Sequence, residues 1–428
     1  MENTDVLISG AGIAGSALAF WLRRAGRTVT VVERAPAPRP GGQTVDLRGA
    51  GRTVVTRMGL MDRARALSVA QEGFALVDAS GRITARVPAD AFGGEGIVSE
   101  IEILRGDLAE LLHDATAPGA DPGITHLFDD TVTSLTEHAD GVDVTFEKAP
   151  PRRFGLVVGA DGLHSVVRSL AFGPEREHVR PLDLYTAWFT STDPDLPDLA
   201  GWYLMHNAPG GLVASARPGR LPGEIKASLC FRSPPLALDR RDPDAARRLL
   251  AERFAGVDGW QVPRLLRAAL DSPDLHLDSM WQVSLDHWTR GRTALLGDAG
   301  YCPSPLTGLG TSLALVGAYV LAGELATAGA APDAHARAFA RYEQIMRPYV
   351  TQAMELPPGG VSAYAPTGRL GIRLRALSTR TMTRWPMRPL LAAQFAKAET
   401  IDLPDYSPLL APTPVHAKVN ADTNAGTP

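Results

Sequence analysis

The chain alternates between two hydrophobic rhythms. Short unbroken apolar runs read as buried strands, and apolar residues spaced three and four apart read as helices packed on them. Residues 5–9 (DVLIS) are the first such run. The helix that follows extends to about Arg24, with Ile13, Ala17, Leu18 and Trp21 on one face, and Gly26 stands where a left-handed stop is expected. Residues 28–32 (TVTVV) form a second strand. Prolines and glycines in 35–51 preclude a long element, and a short helix is predicted over 51–67. Residues 73–87 alternate about Ser80-Gly81, the pattern of a hairpin. Residues 103–116 read as an amphipathic helix with Leu108, Leu111 and Leu112 inward. Residues 124–147 predict two or three antiparallel strands turning at Asp140-Gly141, and FGLVVGADG then reads as a buried strand entering a glycine turn.

The second half changes character. Candidate strands at 184–191, 201–206, 211–217 and 224–232, separated by Pro, Gly and Asp turns, suggest a separate antiparallel sheet. Helices are expected near 243–255 and 261–270. The chain then returns through 279–286 to the strand TALLGDAG and to helices at 309–327 and 334–350. About the last 25 residues, rich in Pro, Ala, Thr and Asn, are expected to be poorly ordered. The expected fold class is α/β: a Rossmann-like nucleotide-binding domain split between 1–180 and 279–350, a β-sheet domain inserted at 181–278, and a C-terminal helical segment and tail at 351–428. The strand-rich segment near 73–100 is expected to join the inserted sheet.

Bulk properties narrow the function. A chain of 428 residues with formal net charge −4 and no basic stripe gives no support to nucleic-acid binding. Its two cysteines, Cys230 and Cys302, make no disulfide framework, and no Cys/His cluster has metal spacing, so no metal is expected. The N-terminus enters a strand at once, which argues against a signal peptide. The apolar stretch 308–323 is short for a membrane span and reads as a buried helix. These features suggest a soluble, cytoplasmic monomer or homodimer.

Between the first strand and its helix stands GAGIAG, with Gly10, Gly12 and Gly15 in the GxGxxG arrangement. The first glycine permits a tight turn, the second lets a pyrophosphate approach the backbone, and the third lets helix and strand pack closely. The first-turn N–H groups at Ile13 and Ala14 face the phosphates with the positive end of the helix dipole. Glu33 closes the second strand, where a carboxylate suits a ribose 2′-hydroxyl and repels a 2′-phosphate. The adenosine held there is therefore expected to be that of FAD or NAD.

Two further motifs follow, GADGLHSVVR at 159–168 and GDAGYCPSPLTGLG at 297–310. With the N-terminal glycines and with Arg105 heading a helix, this order resembles the class A flavin-dependent aromatic monooxygenases, the para-hydroxybenzoate hydroxylase-like group that includes polyketide hydroxylases and tetracycline-inactivating monooxygenases. The resemblance spans about residues 1–350 and implies FAD as cofactor. By it, Gly10, Gly12, Gly15, Glu33 and Arg34 hold the ADP half, Arg105 contacts the cofactor, and Asp161 and Gly162 serve both FAD and NAD(P)H. Gly297 and Asp298 meet the ribityl and pyrophosphate side. Pro305 lies where oxygen and substrate meet the flavin, and Gly308, Leu309 and Gly310 open a helix toward its pyrimidine ring. A helix N-terminus there would stabilise the negative charge of reduced flavin. The loop GGQTVDLRG (41–49) is similar to one in tetracycline-inactivating relatives and implies that Asp46 and Arg48 lie near the flavin. Two departures stand out. Many relatives have GDAAH and GQG where this chain has GDAGY and GLG, so Tyr301 and Leu309 inherit no side-chain role.

The activity implied is monooxygenation: NADPH or NADH reduces FAD, molecular oxygen forms a flavin hydroperoxide, and an aromatic or polyketide-like molecule is hydroxylated or epoxidised. The inserted sheet should supply the substrate face, with Trp188, Tyr203, Met205 and Phe231 as candidates beside Phe189 and Trp202. No catalytic base is identified; His206, His287 and Tyr203 read as structural. The alternatives are another flavin oxidoreductase, such as a reductase or a halogenase (whose WxWxIP motif MWQVSLDHW does not match), and a non-catalytic nucleotide-binding protein.

Overall fold

The computed structural model describes residues 5–410, apart from 39–40, 95, 118–122, 197, 238–241, 243, 330, 332, 385–387, 390 and 393–400. Strand Val6–Ser9 (β1) is buried along its length, as a parallel strand covered on both faces must be. Helix Ile13–Arg24 (α1) ends at Gly26, whose φ is 78°. The Gly26 N–H donates to the Arg23 carbonyl (2.9 Å) and the Arg27 N–H to the Leu22 carbonyl (3.0 Å), the paired bonds of a Schellman stop. Strand Val29–Glu33 (β2) follows, then the short strand Thr44–Asp46 (β3). The helix predicted over 51–67 is two, Gly49–Arg57 (α2) and Met61–Ala66 (α3), because Gly59 turns left-handed between them at φ 76°. The hairpin Gly73–Val77 (β4) and Ile83–Pro88 (β5) precedes Glu102–Leu104 (β6) and Arg105–Asp114 (α4).

Strand Ile124–Phe128 (β7) corrects the expectation of an antiparallel meander from 124. It lies parallel to β2 and extends the nucleotide-type sheet. The meander starts after it, in Val132–His138 (β8), Gly141–Phe146 (β9) and Arg152–Phe154 (β10). The chain is redirected between them at Asp129, whose φ is 57°, and at Asp130. The Asp130 carboxylate accepts the N–H groups of Thr131 (2.8 Å), Lys148 (3.0 Å) and Ala149 (2.9 Å).

Leu156–Gly159 (β11) and Val166–Ala171 (α5) lead to Val179–Ser191 (β12), Trp202–Ala208 (β13), Leu212–Pro218 (β14) and Ile225–Arg232 (β15). Helices Ala245–Arg253 (α6) and Val262–Asp271 (α7) follow, then His276–Val283 (β16), Thr289–Arg290 (β17), Thr293–Leu295 (β18), Asp298–Tyr301 (α8), Gly310–Ala328 (α9) and Ala334–Ala353 (α10). Gly360–Tyr364 (α11) and Arg369–Thr381 (α12) follow. Among the described residues a six-stranded sheet has the order β17-β18-β11-β1-β2-β7, parallel except at β17. A seven-stranded sheet has the order β16-β12-β15-β14-β13-β4-β5, antiparallel except where β4 joins β13. A two-stranded ribbon, β3 with β6, makes up the pairing near the seam between them.

Alternation gives the seven-stranded sheet two faces. The outer face packs Tyr185, Phe189, Leu229 and Phe231 against α6 and α7. The inner face gathers Phe74, Leu76, Met205, Val213 and Cys230 with Leu306, Tyr364 and Ala376. Helix α9 has the length and composition of a membrane span, yet it is buried in the core, packed by α1, α2 and α10. The tail expectation is corrected for 404–410. Tyr406 and Leu410 are buried, the Tyr406 hydroxyl donates to Glu324 (2.5 Å), and any Cβ at Gly323 would overlap the Tyr406 ring. Residues 411–428 lie outside the described residues.

Candidate functional site

The three glycines of the first turn do three different things. Gly10 has φ 105°, and a Cβ there would lie 2.5 Å from the Ala160 carbonyl oxygen, so β1 and β11 close together only over a glycine. A Cβ at Gly15 would overlap the Gly10 carbonyl oxygen. At Gly12 the space is open: the nearest atom to an added Cβ is Arg105 Nη2, at 4.0 Å. Helix α1 starts at Ile13 and Ala14 with no side-chain cap, which leaves N–H groups directed at that opening. Glu33 accepts the N–H of Ala11 (2.9 Å) and of Ala35 (2.9 Å), so its carboxylate is fixed beside the turn, while Arg34 is exposed next to it.

Other elements bring their residues to the same crevice. Arg105 heads α4, and its backbone is fixed by the Gln43 carbonyl (2.9 Å). Asp298 begins α8 after Gly297, whose φ is 63° and whose missing side chain makes room for Ala14 and Ala314. Asp298 is ringed by protein yet open to solvent, as a group lining a crevice should be. Burial raises its carboxyl pKa, and Arg105 pulls against that shift. Pro305 is exposed, and Ser304 before it holds φ 78°, a conformation that an L residue adopts only under strain. Gly308 is left-handed at φ 68°, and α9 begins at Gly310 behind Leu309, again without a side-chain cap. Two uncapped helix starts, a guanidinium and an open glycine therefore face one crevice. An anionic dinucleotide fits this donor set.

Asp161 is used differently. One oxygen accepts the Ser165 hydroxyl (2.5 Å), and the other accepts the N–H groups of Val166 (2.8 Å) and Val167 (3.2 Å) and the Ser9 hydroxyl (3.3 Å). It caps α5 and ties it to β1, and burial raises its pKa despite these bonds. Gly162 follows in the left-handed conformation at φ 80°.

The ribbon of β3 and β6 holds a charged network. Asp46 stands opposite Glu102. Asp46 pairs with Arg48 Nη2 (2.9 Å) and accepts the Ser99 hydroxyl (3.2 Å), and its Oδ2 lies 3.1 Å from where a Cβ on Gly308 would be. Arg48 is buried, and its carbonyl accepts the Ser312 hydroxyl of α9 (3.2 Å), so the pair is no surface salt bridge. Glu102 is buried and accepts from Gln71 Nε2 (2.6 Å) and Arg217 Nη1 (2.6 Å). Burial raises its pKa to about 7, Arg217 opposes the shift, and Asp46 adds to it. Burial works against the charge on Arg217 as well, but Glu102, Tyr203 and Asp46 outweigh it and hold that pKa above the ordinary value. Arg217 also donates to the Thr44 hydroxyl, and its guanidinium carbon lies 3.8 Å from the centre of the Tyr203 ring.

The substrate candidates divide between the two faces. Tyr203 and Met205 lie on the inner face with Leu306 of the loop after Asp298. Trp188 belongs to that face too, at its margin, stacked on His276. Phe231 is a correction. It stacks on Tyr185 with ring centres 5.4 Å apart and packs toward α6 and α7, since its place on β15 alternates with that of the inward Cys230. Phe189 is outward for the same reason. His206 is buried, with its Nδ1 3.1 Å from the Val77 carbonyl oxygen, and His287 is exposed beside Glu343. The sequence reading missed Glu102, Arg217 and Arg375. No local motif marks them: Glu102 and Arg217 meet through the placement of distant strands, and Arg375 reaches Asn207 from α12.

Comparison with known proteins agrees with this geometry. The family model described as FAD binding domain matches residues 3–356. An uncharacterized protein of Mycobacterium tuberculosis (strain CDC 1551 / Oshkosh), MT1298, is 43% identical over 84% of this chain and 94% of its own length. The FAD-dependent monooxygenase asL4 of Sarocladium schorii is 33% identical over 96% of this chain and all of its own (100%). The crystal structure of the tetracycline destructase Tet(51) superimposes with a TM-score of 0.76 at 32% identity, covering 95% of this chain and 100% of that one. The glycine crevice, the helix starts that face it and these likenesses converge, and the chain belongs to the FAD-binding family of flavin-dependent monooxygenases.

Proposed function

We propose that this enzyme oxygenates a polycyclic molecule bearing a phenol or an enol, bound between the inner face of the seven-stranded sheet and the loop 303–310. The observation that carries this reading is the placement of Tyr203, Met205 and Arg217 on one face with Leu306, directly after the Asp298 turn. The likeness to a tetracycline destructase over nearly the whole chain supports a ligand of that shape. In this reading 1–180 and 279–350 form the FAD-binding part, 181–278 with β4 and β5 the substrate-binding part, and 351–410 its cover.

The residues that would hold FAD are Gly10, Gly12, Ile13, Ala14 and Gly15 at the diphosphate, Glu33 and Arg34 at the adenosine, and Arg105, Gly297 and Asp298 along the chain between the rings. Asp46, Arg48, Pro305, Gly308, Leu309 and Gly310 would surround the isoalloxazine, with Asp161 and Gly162 supporting the turn opposite. Bound there, FAD supplies reduction by NADH or NADPH and activation of molecular oxygen. The chain's own work is positional. The start of α9 directs N–H groups at developing negative charge. Arg217, paired with Glu102, braces the Tyr203 ring, which gives a flat surface for stacking. The apolar inner face excludes water from the reacting atoms.

The test is direct. Purified protein should be yellow, and tetracycline, used as a probe with other phenolic polyketides, should accelerate NAD(P)H oxidation with gas-phase labelled oxygen entering the product. Oxidation that is equally fast without any such compound, with no oxygenated product by mass spectrometry, would exclude the hydroxylase reading.

A further inference from the structure

Among the described residues, the inner face of the seven-stranded sheet carries a positive charge with no carboxylate beside it. Arg375 reaches it from α12. Its Nη1 donates to the Asn207 side-chain oxygen (2.7 Å) and to the Tyr364 carbonyl, its Nη2 lies 3.1 Å from Met205 Sδ, and its guanidinium carbon lies 5.4 Å from the Tyr364 ring centre. Every one of these partners is neutral. Among the described residues the ionisable groups that bear on it are Tyr364, Tyr203 and Cys230, and no carboxylate is among them. Burial pushes Tyr364 far above its ordinary range and Cys230 up to about 12, so neither offers a negative charge at neutral pH. Arg217, the other guanidinium of this face, has Glu102 at 2.6 Å. Burial alone lowers the pKa of Arg375, the response of a cation held among protein groups without a counter-ion.

The helix that carries it is oriented against ordinary burial preference. Helix α12 turns Arg375 inward and leaves Leu370, Leu374 and Leu377 at 70%, 55% and 57% exposure. Stability alone would reverse that choice, because an unpaired charge near the interior is strongly unfavourable and an exposed leucine forgoes its burial. A guanidinium kept there at a cost to the fold is explained by a ligand that neutralises it. Arg375 stays partly accessible, as do Tyr203, Tyr364, Arg217 and Leu306 around it, so the seam is open to a molecule entering from solvent.

We propose that Arg375 is the anion-binding residue of the substrate site, and that the natural substrate carries an organic oxyanion, a carboxylate or an ionised enol, on a ring system laid across Tyr203. The planar fork of the guanidinium suits two oxygens of such a group, with Asn207 and the Tyr364 carbonyl fixing its orientation. This inference rests on the monooxygenase reading of the inner face.

The experiment uses the yellow holoenzyme and two matched pairs of probes. The first is 3-hydroxy-2-naphthoate against its uncharged amide. The second is 2-hydroxy-1,4-naphthoquinone, ionised at neutral pH, against its methyl ether. Affinity is read from the perturbation of flavin absorbance, and rate from stimulated NAD(P)H oxidation. The wild type should bind at least one anion about tenfold or more tightly than its neutral partner, the advantage expected of a charge-assisted hydrogen bond. Which pair discriminates identifies carboxylate or enolate. Arg375→Gln should lose that preference while holding the neutral probe within about twofold, and Arg375→Lys should keep part of it. Equal affinity within both pairs for the wild type, absence of binding included, overturns the inference, and so does an Arg375→Gln enzyme that weakens charged and neutral probes alike. A protein that purifies without flavin counts instead against the monooxygenase reading, so the two failures are distinct.

Discussion

A methyl group added at Gly12 meets nothing but the tip of Arg105, whereas one added at Gly15 runs into the Gly10 carbonyl. The two glycines of one motif should therefore fail differently. Gly12 is extended, with φ −76°, so Gly12→Val is compatible with the backbone and obstructs only the space for the diphosphate. That variant should purify folded but colourless, melting where flavin-stripped wild type melts. Gly15→Ala should lower the melting temperature of the apoprotein itself, because α1 must lift off the turn. Equal flavin loss with equal apoprotein stability in both would contradict this division. Glu102 makes a second prediction at this scale. Its pKa is raised from 4.5 to about 7, so the folded state holds its proton more tightly than the unfolded chain does. The stability tied to that proton is complete below pH 4.5 and is lost as pH rises through about 7. Glu102→Gln cannot ionise, so its melting temperature should gain on the wild type as pH is raised from about 5 to about 8. Parallel melting curves across that range would show that Glu102 carries no such slope.

At the scale of elements, what the sequence made legible was whatever is local. The β1–α1–β2 unit, its glycine turn and its Gly26 stop were readable because each depends on neighbours within a few residues. The parallel pairing of β7 was not, since apolar alternation fixes that a strand exists and says nothing of its partner. Asp130, through its bonds to residues 148 and 149, marks where the meander begins after β7. The face of Phe231 was hidden for the same reason: one step of register sends a side chain to the opposite side of the sheet. Glu102 and Arg217 meet through a long-range contact that no spacing records, and Arg375 reaches the same sheet face from α12. The edge strand β7 also yields a pH prediction. His126 lies against His113, with ring centres 4.8 Å apart, and stacks on Phe128 at 5.8 Å. Burial, with His113 adding to it, lowers the pKa of His126 from 6.5 to about 4. The folded state therefore keeps it neutral, and the stability this confers is present above pH 6.5 and lost as pH falls through about 4. His126→Phe preserves the stack and removes the titration. It should melt progressively higher than the wild type as pH falls from about 7 to about 5, opposite in direction to the Glu102 effect.

The whole molecule is joined at two places along α9. Its N-terminal end belongs to the proposed flavin crevice. Near its other end, Tyr406 fills the notch left by Gly323, donates its hydroxyl to Glu324, and donates its backbone N–H to the Tyr319 hydroxyl (2.9 Å), to which Arg57 also donates at 2.7 Å. The segment 401–410 thus fastens the chain beyond α12 back onto the nucleotide-type domain. From Gly310 to Gly323 an α-helix rises about 20 Å, beyond the range at which two perturbations normally couple. FAD and Tyr406 should then act independently. Ligand at about a hundred times its dissociation constant stabilises a fold by about 2.7 kcal/mol, so flavin-stripped protein should melt lower than holoprotein. Tyr406→Ala removes a buried ring and strands the Glu324 carboxylate oxygen that its hydroxyl serves, a loss of about 3–5 kcal/mol by analogy with other aromatic deletions. The decrement caused by Tyr406→Ala should be the same with and without FAD, to within about 0.5 kcal/mol. A larger decrement in the holoprotein would mean that α9 transmits the state of the C-terminal strap to the flavin crevice. The same decrement in both would establish that the strap secures the fold and leaves the affinity for FAD untouched.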